Sequence, residues 1–167
     1  MKKRNTLSEE VKHLKMETKF EKRKRLNFYK PNKSNSGGAM QFDLNAEKES
    51  IFLEMARQKD EHTFDWQNKI TFKLSITDIG KILTVLEGKL KVINLYHDPS
   101  KGNYQIAEDT KNTALNVSKG DSFGFYVKIS QQAKDGTVNA IPCSLSDDEA
   151  IVLVKGLEIA IQRIIGW

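Results

Sequence analysis

The residues that could perform acid–base or nucleophilic chemistry are few and scattered in this sequence. His97 and Asp98 are adjacent at the end of a predicted strand, where neighbouring side chains point in different directions, and Asp-Pro is a common turn former. Cys143 is the single cysteine, so no intrachain disulfide and no cysteine-based metal site can form, and it has no obvious histidine partner. His13 and His62 are isolated. We therefore expect no catalytic residue, no bound metal and no cofactor.

Two further motifs have structural explanations. The acidic run DDE at residues 147–149 falls in the first turn of a predicted helix, where carboxylates stabilise the free amide groups and the helix dipole. The Gly37-Gly38 and Lys101-Gly102 pairs lack the strand-to-helix spacing of a phosphate-binding loop. Neither motif predicts an active site.

Positive charge is concentrated at the N-terminus. Residues 1–36 contain twelve Lys or Arg and four Asp or Glu, a balance of +8, whereas the whole chain carries +5, so residues 37–167 carry −3. The segment KFEKRKRLNFYKPNK at residues 19–33 interleaves basic and aromatic side chains. It predicts either an arm that contacts phosphates and stacks rings on bases, or a solvated tail that keeps the chain soluble. The arm residues that we assign to nucleic-acid binding are Lys22, Arg23, Lys24, Arg25 and Tyr29.

Apolar periodicity predicts the elements that would position these residues. The segment KITFKL at residues 69–74 alternates polar and apolar side chains, as does a strand with one buried face. Ser75 then begins a capping box with Asp78, and apolar residues at helical spacing continue to an end near Gly88. Residues 138–165 predict the same order again, with a strand, a second capping box and a long apolar helix.

Short β-rich runs precede each predicted helix. They lie at residues 39–44, 51–57 and 64–74 before the first helix, and at residues 92–97, 113–117, 122–130 and 138–142 before the second. We interpret this order as a pseudo-repeat of strands followed by a helix, in an α+β fold. Sequence identity between the halves is negligible, so the repeat is one of architecture.

Four separated segments resemble signature segments of the Whirly family of single-stranded DNA-binding proteins, in the Whirly and PC4-like superfamily. They are FDW at residues 64–66, KITFKLSITDIGKIL at 69–83, HDPSKG at 97–102 and IIGW at 164–167. The resemblance covers residues 37–167. It implies two antiparallel sheets of about four strands, each followed by an α-helix, a homotetramer assembled through the helices, and single-stranded nucleic acid lying along the sheets.

This resemblance divides the chain into two segments. We predict that residues 1–36 form a basic, largely flexible N-terminal extension and that residues 37–167 form a Whirly-like domain. The lysine-rich KGKAAL-type motif of the family corresponds here to SGGAMQF at residues 36–42, which lacks both lysines. We therefore do not carry over the assembly of tetramers or the phosphate contact attributed to that motif.

The same resemblance places nucleic acid on the sheet faces that the helices leave open. By strand alternation, Phe123, Phe125, Val127 and Ile129 should face a helix, and Tyr126 and Lys128 the open side. A shift of one residue in register would exchange the two sets. The predicted open face comprises Lys69, Thr71, Lys73, Asn94, Tyr96, Asn116, Tyr126 and Lys128, with Trp66 near a strand start, where core packing is an equal alternative.

The predicted C-terminal helix carries apolar residues around most of its circumference, more than one sheet can bury. We predict that the surplus face joins protomers through Val154, Leu157, Ile161 and Ile164. A dimer is the minimal expectation, and the Whirly resemblance implies a homotetramer.

These features together predict a non-enzymatic protein that binds single-stranded DNA largely without sequence preference. It would protect or organise that DNA during DNA replication, recombination or DNA repair. An RNA-binding or transcription-associated adaptor, or a structural subunit of a larger complex, remains the alternative on the same scaffold. We expect no small-molecule substrate. With no apolar run of membrane-spanning length and no signal peptide, we expect a cytoplasmic or nucleoid-associated protein without a membrane partner.

Overall fold

The computed structural model of the chain describes residues 24–98 and 109–167. Alternating apolar residues build a first antiparallel sheet, in which the long strands follow the order β1-β2-β3-β5 and the two-residue strand β4 pairs with the far end of β3. The strands of this sheet are β1 (Leu26–Lys30), β2 (Gly38–Asn45), β3 (Ser50–Asp60), β4 (Thr63–Phe64) and β5 (Ile70–Leu74). Helix α1 (Ile76–Leu86) follows.

The second sheet repeats this order of strands and helix. Its four antiparallel strands are β6 (Val92–His97), β7 (Thr110–Lys119), β8 (Phe125–Ala133) and β9 (Val138–Leu145), arranged in chain order. Helix α2 (Asp147–Ile165) closes the chain. The α+β architecture predicted from the sequence is therefore confirmed. No helix within the described residues is both long and apolar enough to cross a membrane.

Capping residues set the start of both helices, as predicted. The Asp78 amide donates to the Ser75 hydroxyl at 3.2 Å, and the Ser75 amide donates to the Asp78 carboxylate at 3.0 Å. At α2, the amide and the hydroxyl of Ser146 both donate to the Glu149 carboxylate at 2.9 Å. Gly88 has a φ of 76°, a left-handed conformation that ends α1 where the sequence predicts.

The first strand lies inside the segment that we predict to be a largely flexible extension. Its residues pair with residues 38–42 of β2, and Phe28 is buried in the core. Leu26 packs against Gly156 of α2, and Lys30 forms an ion pair with Glu149 at the start of that helix. The sheet therefore begins upstream of the predicted boundary at residue 37, because two inward apolar residues suffice to anchor a short edge strand.

Two other local predictions need correction. The predicted strand at residues 64–74 is interrupted by a 3-10 turn, Trp66–Asn68, which Asp65 caps by accepting the Asn68 amide at 3.3 Å. Phe123 is 76% exposed and precedes β8, so it does not face a helix. The left-handed Gly124, with a φ of 68°, separates Phe123 from the strand and breaks the alternation on which that prediction depends.

The two sheets meet where β9 lies against β2. The Cys143 thiol donates to the Gly38 carbonyl at 3.5 Å, and the Arg57 guanidinium donates to the Asn139 side chain at 3.0 Å. Burial raises the pKa of the Cys143 thiol to about 12, so this thiol remains protonated. The buried faces of both sheets and the two helices share one continuous apolar core.

Candidate nucleic-acid interface

The strand pairing of the second sheet defines its open face as four rows of side chains. In β6, in β7 from Asn112 onward, and in β8 and β9, the buried residues are odd-numbered and the even-numbered residues point away from the helices. A register shift between Thr110 and Asn112 reverses this alternation at the start of β7, where Thr110 is buried. The rows are Val92, Ser118, Tyr126 and Ser144; Asn94, Asn116, Lys128 and Pro142; Tyr96, Ala114, Ser130 and Ala140; and Asn112, Gln132 and Val138. Within these rows Lys128 is the one charged residue.

Two tyrosines project from this face. Tyr96 is 72% exposed and Tyr126 is 58% exposed. Both lie where strand alternation predicts them, as do Asn94, Asn116 and Lys128. Because aromatic rings stack on bases of any identity, an exposed tyrosine on an uncovered sheet can contact unpaired nucleotides.

Amide side chains pair across the same face. The Asn116 side-chain amide donates to the Asn94 side-chain carbonyl at 2.9 Å, and the Asn112 amide donates to the Gln132 carbonyl at 3.1 Å. Asn112 and Gln132 are absent from the sequence-based prediction, in which β7 begins at residue 113. The sequence does contain a feature that could have identified Asn112. Asn112 lies four residues before Asn116, so the two lie on one face of a strand.

The open face of the first sheet has a different charge distribution. Lys69, Thr71 and Lys73 lie on it, as predicted, and the Lys69 ammonium pairs with the Glu54 carboxylate at 2.7 Å. The Gln41 amide also donates to Glu54, at 2.7 Å. Because carboxylates repel phosphates and already neutralise nearby cations, this face is the poorer of the two for a nucleic-acid backbone.

Trp66 and Tyr29 lie at one end of the first sheet. Trp66 is half-buried in the 3-10 turn, not on a strand, and lines an open cavity of about 480 Å³ with Lys59 and Phe64. Tyr29 is predicted as part of the arm, but it lies on β1, 52% exposed, with its ring centroid 5.6 Å from that of Phe64. Phe64, which belongs to the FDW motif, is thus a further aromatic residue of this region and is not among the predicted binding residues.

Only two of the four basic residues of the predicted arm lie within the part of the chain that the structure describes. Lys22 and Arg23 lie outside the described residues. Lys24 and Arg25 are exposed just before β1, and Arg25 pairs with Asp43 of β2 at 3.5 Å. Arg25 is therefore held beside the first sheet.

The predicted oligomerisation face needs correction at one position. Leu157 is 1% exposed and belongs to the core of its own protomer, and Val154, Ile161 and Ile164 pack partly against that core. Leu157 is therefore inaccessible to a second copy of the folded chain. The apolar residues of α2 that face solvent are Ile151, Val152, Ile159 and Ile165, which are 64%, 52%, 50% and 37% exposed.

His97, considered above for acid–base chemistry, packs against Phe72 and the N-terminal cap of α1. His97 stacks on Phe72 with ring centroids 3.8 Å apart, and its Nε2 lies 3.7 Å from the Asp78 carboxylate that caps α1. Burial lowers the pKa of His97, against the opposing effect of Asp78. Within residues 24–98 and 109–167, no group of three or more His, Cys, Asp or Glu side chains could hold a metal ion.

Known proteins share both the sequence pattern and this fold. The family profile described as "Whirly transcription factor" matches residues 25–155. The chloroplastic single-stranded DNA-binding protein WHY1 of Arabidopsis thaliana is 28% identical over 119 residues, which is 70% of this chain and 44% of that protein. The chain therefore spans less than half the length of this curated relative.

Solved structures are similar over most of the chain. The crystal structure of WHY1 from Arabidopsis thaliana has a TM-score of 0.70 at 22% identity, covering 86% of this chain and 92% of that one. A chain from a guide-RNA-binding protein complex bound to a guide RNA has a TM-score of 0.63 at 13% identity, covering 89% and 97%. At these identities the similarity establishes the fold.

Proposed function

The chain belongs to the Whirly family, and we propose that it binds single-stranded DNA, largely without sequence preference, on the open faces of its sheets. The observation that carries this proposal is the uncovered face of the second sheet, with Tyr96 72% exposed, Tyr126 58% exposed and Lys128 as the one charge in its rows. Unpaired bases offer apolar faces to such a surface, whereas a duplex keeps those faces stacked inside. The phosphates can then remain in solvent.

Assembly into a homotetramer is part of the proposal. The apolar residues Ile151, Val152 and Ile159 are at least half exposed on α2. Their burial against another protomer would contribute about 1.5–3 kcal/mol for each side chain, and a closed symmetric assembly can bury them on every copy. An open cavity of about 440 Å³ beside Ile151, lined also by Leu86 and Val154, offers apolar surface for such a contact.

The cellular role that we propose is the protection or organisation of single-stranded DNA in replication, recombination or repair, in association with a nucleoid. The relative WHY1 is named a single-stranded DNA-binding protein, which favours DNA over RNA as the ligand. The protein acts by binding, without catalysis. Its N-terminal basic segment adds affinity for phosphates.

A competition assay with single-stranded DNA, duplex DNA and single-stranded RNA of equal length tests the ligand. We expect single-stranded DNA to bind most tightly. The variants Tyr96→Ala and Tyr126→Ala should each weaken that binding by about 5- to 150-fold, since base–aromatic stacking contributes roughly 1–3 kcal/mol per base. Tyr96→Phe and Tyr126→Phe, which keep the ring, are the matched controls and should bind like the original chain.

Three results would contradict the proposal. Equal affinity for duplex DNA would show that the surface does not require unpaired bases. Tighter binding to RNA would identify the RNA-associated alternative. Failure to bind any of the three nucleic acids would favour a structural subunit.

A further inference from the structure

We propose that the cross-strand amide pairs Asn94–Asn116 and Asn112–Gln132 hydrogen-bond the Watson–Crick edges of unpaired bases. This inference rests on the proposed binding of single-stranded DNA and names the groups that would make that binding selective for single strands. The ligand class is any unpaired nucleobase in a strand that lies across the second sheet.

The two amide pairs lie on either side of the row that contains Tyr96. The row that contains Tyr96 lies between the row of Asn94 and Asn116 and the row of Asn112 and Gln132. Neighbouring rows on one face are two residues apart, roughly 6.6–6.8 Å. A base stacked on the Tyr96 ring therefore has an amide pair within reach on either side.

Each amide pair has one side-chain NH₂ and one side-chain carbonyl that make no hydrogen bond within the described residues. In the first pair, the Asn116 amide donates to the Asn94 carbonyl at 2.9 Å and to the Ile93 backbone carbonyl at 3.4 Å. The Asn94 NH₂ and the Asn116 carbonyl then make no hydrogen bond within the described residues. The second pair likewise keeps the Gln132 NH₂ and the Asn112 carbonyl, because the Asn112 amide donates to the Gln132 carbonyl at 3.1 Å.

A donor beside an acceptor matches every base. Adenine offers its N6 amino group beside N1, cytosine its N4 amino group beside N3, guanine its N1–H beside O6, and thymine its N3–H beside O4. An NH₂ and a carbonyl on neighbouring strands can therefore bond any of the four bases, which explains tolerance of sequence. The same edges are occupied in a duplex, so the amide pairs would select single strands.

Strand stability alone does not explain four carboxamides here. Asparagine is depleted in β-strands relative to β-branched and aromatic residues, and a cross-strand pair on an exposed face contributes little to stability. Valine or threonine at these exposed positions would support the sheet at least as well. The carboxamides are also neutral, so their selectivity should persist at high salt, where phosphate contacts weaken.

Blocking the Watson–Crick edge of the ligand tests the inference directly. We would compare an oligothymidine strand with one of equal length in which every base is N3-methylthymine, which loses the N3–H donor but keeps its charge and apolar faces. The original chain should bind the methylated strand about 5- to 30-fold more weakly, the loss of one or two hydrogen bonds of roughly 1 kcal/mol each. The double variants Asn94→Ala with Asn116→Ala, and Asn112→Ala with Gln132→Ala, should bind plain oligothymidine more weakly and discriminate less between the two strands.

The control is Asn27→Ala, which removes an exposed asparagine on β1 of the first sheet and should leave the discrimination unchanged. Circular dichroism would check that each variant is folded, and the single variant Asn94→Ala, at an exposed position on an edge strand, replaces any double variant that is not. If the original chain binds both strands equally, or if folded amide variants still discriminate fully, the inference is wrong and the proposed function stands. If the original chain binds neither strand, both proposals are wrong.

Discussion

Gly38 lies in direct contact with β9 at the junction of the two sheets. A Cβ atom at this position would be 2.3 Å from the Pro142 carbonyl oxygen, and the Gly38 carbonyl itself accepts a hydrogen bond from Cys143. The neighbouring Gly37 is equally confined, since its Cβ would lie 2.0 Å from the Lys30 carbonyl oxygen. Gly37 and Gly38 of the SGGAMQF segment are therefore required for packing, because only glycine allows two backbones to approach so closely.

Substitution of Gly38 should destabilise the fold. We expect Gly38→Ala to lower the free energy of unfolding by about 1–3 kcal/mol, because the obstructing atom is backbone and a strand must shift to admit a methyl group. Urea unfolding followed by circular dichroism measures the change. The matched control is Gly80→Ala on α1, where no heavy atom lies within 4 Å of the new Cβ. It should raise the unfolding free energy by up to about 1 kcal/mol through helix propensity. Equal stability of both variants would contradict the tight junction.

The apolar side chains of helix α2 lie in three different environments. Ala150, Leu153, Leu157 and Ala160 lie in the core, whereas Val154, Ile161 and Ile164 are only partly covered. Ile151, Val152 and Ile159 face solvent. A charge introduced among the buried residues of α2 should therefore destabilise the folded protomer. A charge introduced among the exposed residues should instead weaken association between protomers.

Two aspartate substitutions on α2 should therefore differ in effect. Ile159→Asp should reduce the oligomeric mass while the circular dichroism spectrum is unchanged, because a carboxylate in an apolar interface loses several kcal/mol of hydration. Leu157→Asp should unfold the protomer, since the same carboxylate would enter its own core. Light scattering with circular dichroism separates the two results. If folded Ile159→Asp keeps the full oligomeric mass, the exposed stripe of α2 is not the interface.

Charge is unevenly distributed over the whole molecule. Residues 1–36 carry +8 and residues 37–167 carry −3, yet the open rows of the second sheet contain only Lys128 as a charged residue. This separation gives the two parts different expected roles. We expect the basic segment to attract phosphates over a distance that shortens as the salt concentration rises. We expect the neutral sheet face to contact bases with little dependence on salt.

Deletion of residues 1–23 should weaken binding and reduce its salt dependence without unfolding the domain. The deletion must stop before β1, which begins at Leu26. It removes eight Lys or Arg residues. Each lost phosphate contact should lower the slope of log affinity against log salt by roughly 0.7 for a single strand. A chain in which residues 1–23 are scrambled at constant composition should keep the slope. An unchanged slope after deletion would show that the segment is not a nucleic-acid-binding arm.

Much of this fold could be predicted because its signals are local. A capping box, an alternation of Ile70, Phe72 and Leu74, and the helical spacing after Ser146 each depend on residues a few positions apart, and the structure confirms all three. Predictions were incomplete where local signals were weak. The strand β1 has only Leu26 and Phe28 as inward apolar residues within a basic run, and β7 extends beyond its apolar centre to Thr110.

Periodicity and composition thus suffice for both helices, for the order of the strands from β2 onward, and for the buried and open faces of β5 and β6. They did not predict β1, the 3-10 turn at Trp66–Asn68 or the position of Phe123. Tertiary structure decided which stripe of α2 is buried, that Gly38 touches β9, and that Asn94, Asn116, Asn112 and Gln132 form neighbouring pairs. The physical reason is the range of the interactions. Hydrogen bonds within a helix and alternation within a strand involve near neighbours in sequence, whereas burial of one helix stripe and alignment between strands depend on segments that meet only when the whole core packs.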